Sequence, residues 1–159
     1  MRGSEALREP GSAAGTDELV LAIPPDPEQV RTARLFAAAA ARHFEIDEER
    51  VEDLKVAVSE ACTNAIKSHM TAGLSDPVRI VAAPVTGGLR VTVVDRGPGF
   101  DPEMALADSE DYTPPAGLGG GSLGLTLIRA LFPSLEIDRN PDRGMTISIL
   151  VEPSAEDAD

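Results

Sequence analysis

The chain has 159 residues, of which 42% are hydrophobic and 3% aromatic, and it carries 27 acidic against 14 basic side chains, a formal charge of −13. This length suits one domain with an aliphatic core, and the charge disfavours direct nucleic-acid binding while favouring a basic protein partner. A single cysteine, Cys62, excludes an intrachain disulfide and indicates a reducing compartment. Without a membrane-length apolar run or a signal-peptide core, we expect a soluble, cytoplasmic protein with no membrane contact.

The spacing of apolar residues predicts one domain over residues 17–152. In chain order we expect a strand at 18–23, helices at 27–44 and 47–70, strands at 78–85 and 89–95, a helix at 122–132, and strands at 134–139 and 145–152. This order predicts an α+β fold: a two-layer sandwich with helices on one face of a mostly antiparallel sheet. The small-residue N-terminal segment (1–16) and the acidic C-terminal tail (153–159) are expected to be disordered.

The second predicted helix carries a polar pair in an otherwise apolar run, SEACTNAIKSHM. Glu60 and Asn64 lie one helical turn apart and therefore point the same way. One interpretation is a solvated polar stripe. The other is a metal-and-base site, because both side chains offer oxygen ligands to Mg²⁺ and a glutamate can accept a proton.

Two glycine-containing motifs follow in the chain. In VVDRGPGF, a strand ends on Asp95, and Gly97 and Gly99 would let the backbone approach a flat ligand, although Asp-x-Gly is also a common turn. In GLGGGSLGLTLI, the glycines match a dinucleotide-binding spacing, but they follow a long loop rather than a strand, and Leu125 stands where a P-loop needs lysine. A glycine-rich helix start can still present free N–H groups to an anion.

Taken in order, the E-x-x-x-N helix, the D-x-G-x-G turn, a long loop and the glycine-rich helix start resemble the GHKL, or Bergerat, ATP-binding fold. More closely, EACTNAI and DRGPGFDP are similar to the motifs of the bacterial anti-sigma factor serine kinases. The resemblance covers residues 19–151. It implies ATP and Mg²⁺ as cofactors.

The resemblance also implies roles for individual residues. Glu60 would be the general base that takes the proton from a partner's serine, and Asn64 would ligate Mg²⁺. Asp95 would accept a hydrogen bond from the adenine amino group, while Gly97 and Gly99 would let the chain pass close to the base.

Further roles are implied around the phosphates. Residues 101–118 would form a lid. The phosphates would meet the glycine-rich start of the third helix, formed by Gly121, Ser122, Leu123, Gly124 and Leu125. Thr146 would help to hold the adenine. Lys67 would add positive charge near the phosphates, or it is an ordinary surface lysine.

Three departures from the family pattern stand out. Ser122 replaces a glycine, Ser-His-Met at residues 68–70 replaces His-Ala-Tyr, and Met145 stands where the family has threonine. Because side chains alternate along a strand, Thr146 should face the other way unless a bulge intervenes.

The remaining notable residues are expected to be structural. His43 and His69 lie outside a phosphoacceptor helix pair, which argues against a two-component histidine kinase, and we expect both to be surface or helix-end residues. Cys62 lies on the apolar arc of its helix and is expected to be a small core residue.

These inferences predict an anti-sigma factor with serine/threonine kinase activity. It would sequester a sigma factor, phosphorylate a STAS-type anti-anti-sigma antagonist, and work as a homodimer. The alternative is a non-catalytic binding module of the same fold, with ATP weakly bound or absent. A fragment of a larger ATPase is a third interpretation, which the self-contained length disfavours.

Overall fold

The computed structural model describes residues 17–101 and 121–153, with side chains in the second range described from Gly124 onward. Within these ranges a turn of 3-10 helix precedes the first α-helix. The elements are β1 (Leu19–Ile23), α1 (Val30–His43), α2 (Glu48–Thr71), β2 (Val78–Val85), β3 (Gly88–Val94), α3 (Gly121–Leu131), β4 (Glu136–Arg139) and β5 (Met145–Val151). All the predicted elements are present, with ends that differ by a few residues. The predicted lid, except Asp101, and both predicted tails, except Pro153, lie outside the described residues.

The five strands form one sheet in the order β1-β2-β3-β5-β4, and every neighbouring pair is antiparallel. A tight turn joins β2 to β3, where Gly87 adopts a φ of 89° that suits glycine. The central pair, β3 and β5, is in regular register from Leu89 opposite Val151 to Val94 opposite Thr146. The predicted α+β class with an antiparallel sheet is therefore confirmed.

The core lies between the sheet and the helices. Alternate residues of β3 and β5 are buried, whereas the residues between them stay partly exposed, so one face of the sheet is covered. Helix α1 contributes mainly alanines, which allow a close approach to α2. Cys62 is fully buried in this core, and burial raises the pKa of its thiol to about 12. Its predicted role as a core residue is confirmed.

The start of α2 is capped by its own chain and contacts the end of α3. Asp47 is the N-cap, and its carboxylate accepts a hydrogen bond of 3.3 Å from the Arg50 amide. The Arg50 guanidinium lies 4.5 Å from the centre of the Phe132 ring, just beyond α3. The start of α2 therefore packs against the end of α3.

Among the helices of residues 17–101 and 121–153, none is both long and apolar enough to cross a membrane.

Candidate functional site

The polar pair of α2 is neither a solvated stripe nor an ordinary part of the core. Glu60 is half-buried and Asn64 is only 6% exposed. The Nδ2 atom of Asn64 is buried and has no hydrogen-bond partner among the described residues. An unpaired buried amide destabilises a protein by about 1–3 kcal/mol, and such a cost is typical of a group kept for a ligand.

Gly124 of α3 packs directly on this pair. A Cβ placed on Gly124 would lie 2.7 Å from Oε2 of Glu60 and 3.7 Å from Nδ2 of Asn64. Any larger residue would therefore push the Glu60 carboxylate aside. The structure thus places the glycine-rich start of α3 next to the E-x-x-x-N motif of α2.

The first turn of α3 supplies main-chain donors next to this pair. The helix begins at Gly121, and the first four N–H groups of any helix lack partners within it. Within the helix these are the amides of Gly121, Ser122 and Leu123. The side chain of Leu125 is buried in the core, so its part in the site is limited to the backbone. The geometry suits an anion at the helix start.

Asp95 continues the inward alternation of β3 and is 6% exposed. Its Oδ1 atom accepts hydrogen bonds from the amides of Gly97 at 2.9 Å and Met145 at 3.2 Å. Burial raises the pKa of the Asp95 carboxyl above its usual range, and these two hydrogen bonds oppose that rise. A buried carboxylate held in this way can accept a further hydrogen bond from a ligand.

The two glycines after Asp95 are required by their surroundings. A Cβ on Gly97 would overlap the Oγ atom of Ser68 and lie 2.8 Å from its Cβ. Gly99 has a φ of 82°, and a Cβ there would lie 3.1 Å from Sδ of Met145. The turn therefore passes close to α2 and β5 only because both residues lack side chains.

A narrow pocket lies between the E-x-x-x-N motif of α2 and the D-x-G-x-G turn after β3. Asn64 and Asp95 both line it, and the other lining residues are Ala65, Ser68, Gly99, Phe100, Met145 and Ile147. The free volume inside is about 10 Å³, whereas small-molecule sites usually offer about 300–1,000 Å³. A planar ligand can enter only if the lining of this pocket rearranges.

Thr146 does not belong to this pocket. It pairs with Val94 in regular register, so its side chain points to the other face of the sheet, as alternation requires in the absence of a bulge. Its hydroxyl donates a hydrogen bond to Oδ1 of Asn140. Thr146 therefore lies away from the pocket, and the side chain of Met145 occupies the inward position instead. Lys67 is exposed, about one turn beyond Asn64 on the same helix.

Both histidines lie at helix ends, as expected: His43 is the exposed last residue of α1, and His69 is in the last turn of α2, although it is buried rather than on the surface. His69 is fully buried; its Nε2 atom accepts a hydrogen bond of 2.8 Å from the Arg96 amide, and its Nδ1 atom lies 2.9 Å from the carbonyl oxygen of Asp76. The sequence contained a signal for this, because His69 follows Cys62 by seven residues and so falls on the buried arc of α2.

Glu60 is also accessible from outside the pocket. It lines a groove of about 260 Å³ with Arg34 of α1 and with neighbouring residues of α2, namely Glu52, Lys55, Val56 and Ser59. A side chain from another protein could therefore reach the Glu60 carboxylate without passing through the pocket.

The donor set fits Mg²⁺ with few protein ligands. The described residues contain no cluster of three or more His, Cys, Asp or Glu side chains that could hold a metal by themselves. Mg²⁺ commonly takes one or two protein ligands and completes its octahedron with phosphate oxygens and water. The amide oxygen of Asn64, beside the start of α3, could supply one such ligand, whereas the unpaired Nδ2 can only donate, for example to a phosphate oxygen.

The sequence is similar to a known domain family and to known bacterial kinases. The family model of the histidine kinase-like ATPase domain matches residues 23–150. The serine-protein kinase RsbW of Bacillus velezensis is 31% identical over 140 residues, which cover 86% of each chain. The serine-protein kinase RsbW of Oceanobacillus iheyensis is 34% identical over 125 residues, which cover 77% of this chain and 79% of the relative.

Two solved structures share the fold. The RsbU and RsbW domains of a Mycobacterium tuberculosis protein match with a TM-score of 0.61 at 20% identity, over 85% of this chain and 32% of that one. The SiaB–SiaC complex of Pseudomonas aeruginosa contains a chain that matches with a TM-score of 0.59 at 12% identity, over 84% of this chain and 88% of that one.

Proposed function

This chain belongs to the histidine kinase-like ATPase domain family and is a relative of the serine-protein kinases RsbW. On this premise we propose that it is an ATP-dependent serine/threonine-protein kinase that acts as an anti-sigma factor. It sequesters a sigma factor and phosphorylates a STAS-type anti-anti-sigma antagonist. The observation that carries the proposal is the packing of Gly124 on Glu60 and Asn64, next to a pocket shared with Asp95.

In this proposal Asp95 recognises the base. Its buried carboxylate accepts a hydrogen bond from the adenine amino group, a donor that guanine lacks at that position. Gly97 and Gly99 keep the turn close enough for the ring to lie against the backbone. The narrowness of the pocket means that ATP binding includes a rearrangement of its lining.

The phosphates lie at the start of α3, where its unpaired amides and the positive end of the helix dipole favour negative charge. Asn64 ligates Mg²⁺ through its side-chain oxygen, and Lys67 adds positive charge nearby. When bound, Mg-ATP supplies the phosphoryl group that is transferred to the partner.

Glu60 accepts the proton of the partner's serine hydroxyl. Its position on the groove beside Arg34 supports this role, because a protein substrate can approach from that side while the nucleotide lies under α3. The half-buried carboxylate is held in place by its packing against Gly124.

The net charge of the chain bears on its binding partners. A formal charge of −13 suits a basic sigma factor and disfavours direct nucleic-acid binding. We propose a homodimer in the cytoplasm as the working form.

One observation favours a second candidate function, a binding module that sequesters its partner without catalysis. The pocket has little free volume, and Met145 fills the place where the family has a threonine. In that case ATP would bind weakly or not at all.

The test is transfer of label from ATP to a candidate STAS antagonist in the presence of Mg²⁺. We compare the wild type with Glu60→Gln, and with Glu49→Gln as a control on the exposed first turn of the same helix. Transfer that is lost in Glu60→Gln and retained in Glu49→Gln supports the kinase. ATP binding without transfer to any antagonist favours the binding module. No ATP binding at millimolar concentration would refute the kinase and leave only a module that works without nucleotide.

A further inference from the structure

The turn that follows β3 is tied to its surroundings through consecutive backbone groups. The Asp95 amide donates to the Met145 carbonyl at 2.9 Å, and the Asp95 carbonyl accepts from Nδ2 of Asn140 at 3.3 Å. The Gly97 amide donates to the Asp95 carboxylate at 2.9 Å. The partners in these hydrogen bonds are Met145 of β5, Asn140 between β4 and β5, and the turn's own Asp95.

The Arg96 amide, between Asp95 and Gly97, is tied to the helix layer. The Arg96 N–H donates to Nε2 of His69 on α2, at 2.8 Å. His69 lies 27 residues earlier in the chain and five positions after Asn64 on the same helix. This hydrogen bond therefore joins the helix that carries Glu60 and Asn64 to the residue next to Asp95.

The two contacts of the ring define its tautomer. A backbone N–H can only donate, so Nε2 of His69 must be the acceptor for Arg96. The proton of the neutral ring then lies on Nδ1, which donates to the carbonyl oxygen of Asp76 at 2.9 Å. Both ring nitrogens are used, and the ring is fixed at both ends.

Other contacts at this junction are weaker or depend on packing. The ion pair between Arg96 and Asp76 is 3.4 Å long, and both side chains are about half exposed, so it adds little stability. Ser68 packs so closely against Gly97 that a Cβ atom on Gly97 would overlap its hydroxyl oxygen. His69 thus gives a direct polar link between α2 and the turn.

We propose that His69 is a positioning residue for nucleotide recognition. It does not touch the ligand, but it holds Arg96 against α2 and so sets the distance between the Asp95 carboxylate and Asn64. The ligand in question, an adenine nucleotide, rests on the proposed function, whereas the positioning of the turn by His69 can be measured without any nucleotide.

The experiment uses the full chain with three variants. His69→Leu fills the same space but cannot accept a hydrogen bond, and His69→Gln retains an acceptor that can reach the Arg96 amide. His43→Ala is the matched control, because His43 is the exposed histidine at the end of α1. Hydrogen exchange of residues 95–99 is measured without nucleotide, and ATP and GTP affinities are measured by titration.

In His69→Leu we expect exchange in this segment to become about tenfold faster or more, since the Arg96 amide loses its partner. ATP affinity should fall about tenfold while GTP affinity changes little, so that the preference for ATP shrinks. His69→Gln should recover part of both effects, and His43→Ala should behave as wild type. A residue needed only for folding would lower stability without changing the preference of the folded protein for ATP.

Unchanged exchange in folded His69→Leu, or an unchanged ATP-over-GTP ratio, would overturn the proposal. If that variant does not fold, nitrogen NMR of the wild-type ring decides: the Nδ1–H tautomer supports the proposal and the Nε2–H tautomer refutes it. If the wild type binds neither nucleotide, the proposed function fails, and the exchange data still show whether His69 holds the turn.

Discussion

Gly124 of α3 lies so close to Glu60 of α2 that a methyl group on Gly124 would come within 2.7 Å of the Glu60 carboxylate. The two residues are 64 positions apart in the sequence, yet they share one site because α3 packs across α2. The absence of a side chain at Gly124 is therefore part of how Glu60 is placed.

Replacing Gly124 by alanine should lower phosphorylation strongly with little loss of stability. The added methyl displaces the flexible end of Glu60, and misplacing a catalytic group by about 1 Å can cost about 100-fold in rate. Alanine also favours the helix by up to about 1 kcal/mol, which offsets the strain. Initial rates and Tm would be compared with Ala130→Ser on the exposed side of α3; an unchanged rate would contradict the assignment of Glu60.

Asn64→Ala should leave the free energy of unfolding unchanged or raise it, while weakening Mg²⁺-dependent ATP binding by about tenfold or more. The variant removes a buried donor without a partner in the described structure, which relieves about 1–3 kcal/mol and offsets the lost packing. Urea unfolding and ATP titration with and without Mg²⁺ measure the two effects. A clear loss of stability with normal ATP binding would assign Asn64 to the core instead.

Asp95→Asn should stabilise the protein at neutral pH and weaken its preference for ATP over GTP. Because burial raises the pKa of Asp95 in the folded state, the ionised carboxylate destabilises the fold at high pH. That penalty is complete above the raised pKa and disappears as the pH falls towards the ordinary value of 3.8. The difference in free energy of unfolding between variant and wild type, measured by denaturation from pH 7 downward, should therefore shrink. A difference that grows on acidification would show that the ionised carboxylate stabilises the fold.

Gly97→Ala should destabilise the chain by about 1–3 kcal/mol, since the new methyl overlaps Ser68. Ser68→Gly removes the overlapping atoms, although glycine in a helix costs about 1 kcal/mol by itself. The double variant should therefore be more stable than the sum of the single effects predicts. Chemical denaturation of all four proteins gives the coupling energy, and strict additivity would mean that the two residues do not touch.

Met145→Thr should widen the pocket and tighten ATP binding severalfold, while the loss of buried side-chain volume lowers stability by about 1–3 kcal/mol. Thr146→Val should change ATP affinity less than twofold, because Thr146 faces away from the pocket and bonds Asn140. Titration of ATP into both variants separates the two positions. A large effect at Thr146 alone would show that β5 changes register when nucleotide binds.

The order of the elements and the buried arcs of the helices were predictable from the sequence. Hydrophobic periodicity is a local property, so it located the helices and strands to within a few residues and placed Cys62 on the core side of α2. The same periodicity correctly indicated that Thr146 faces away from Met145. The pairing of Glu60 with Asn64 follows in the same way from helical spacing alone.

Only the tertiary structure decided which of these residues meet. That Gly124 covers Glu60, that Gly97 packs on Ser68, and that His69 supports Arg96 depends on how the helices lie on the sheet. Contacts between residues far apart in the chain arise from close packing of the two layers, and no local pattern encodes them. For that reason His69 appeared in the sequence as a break in a motif, and in the fold it is a buried link between the two motifs.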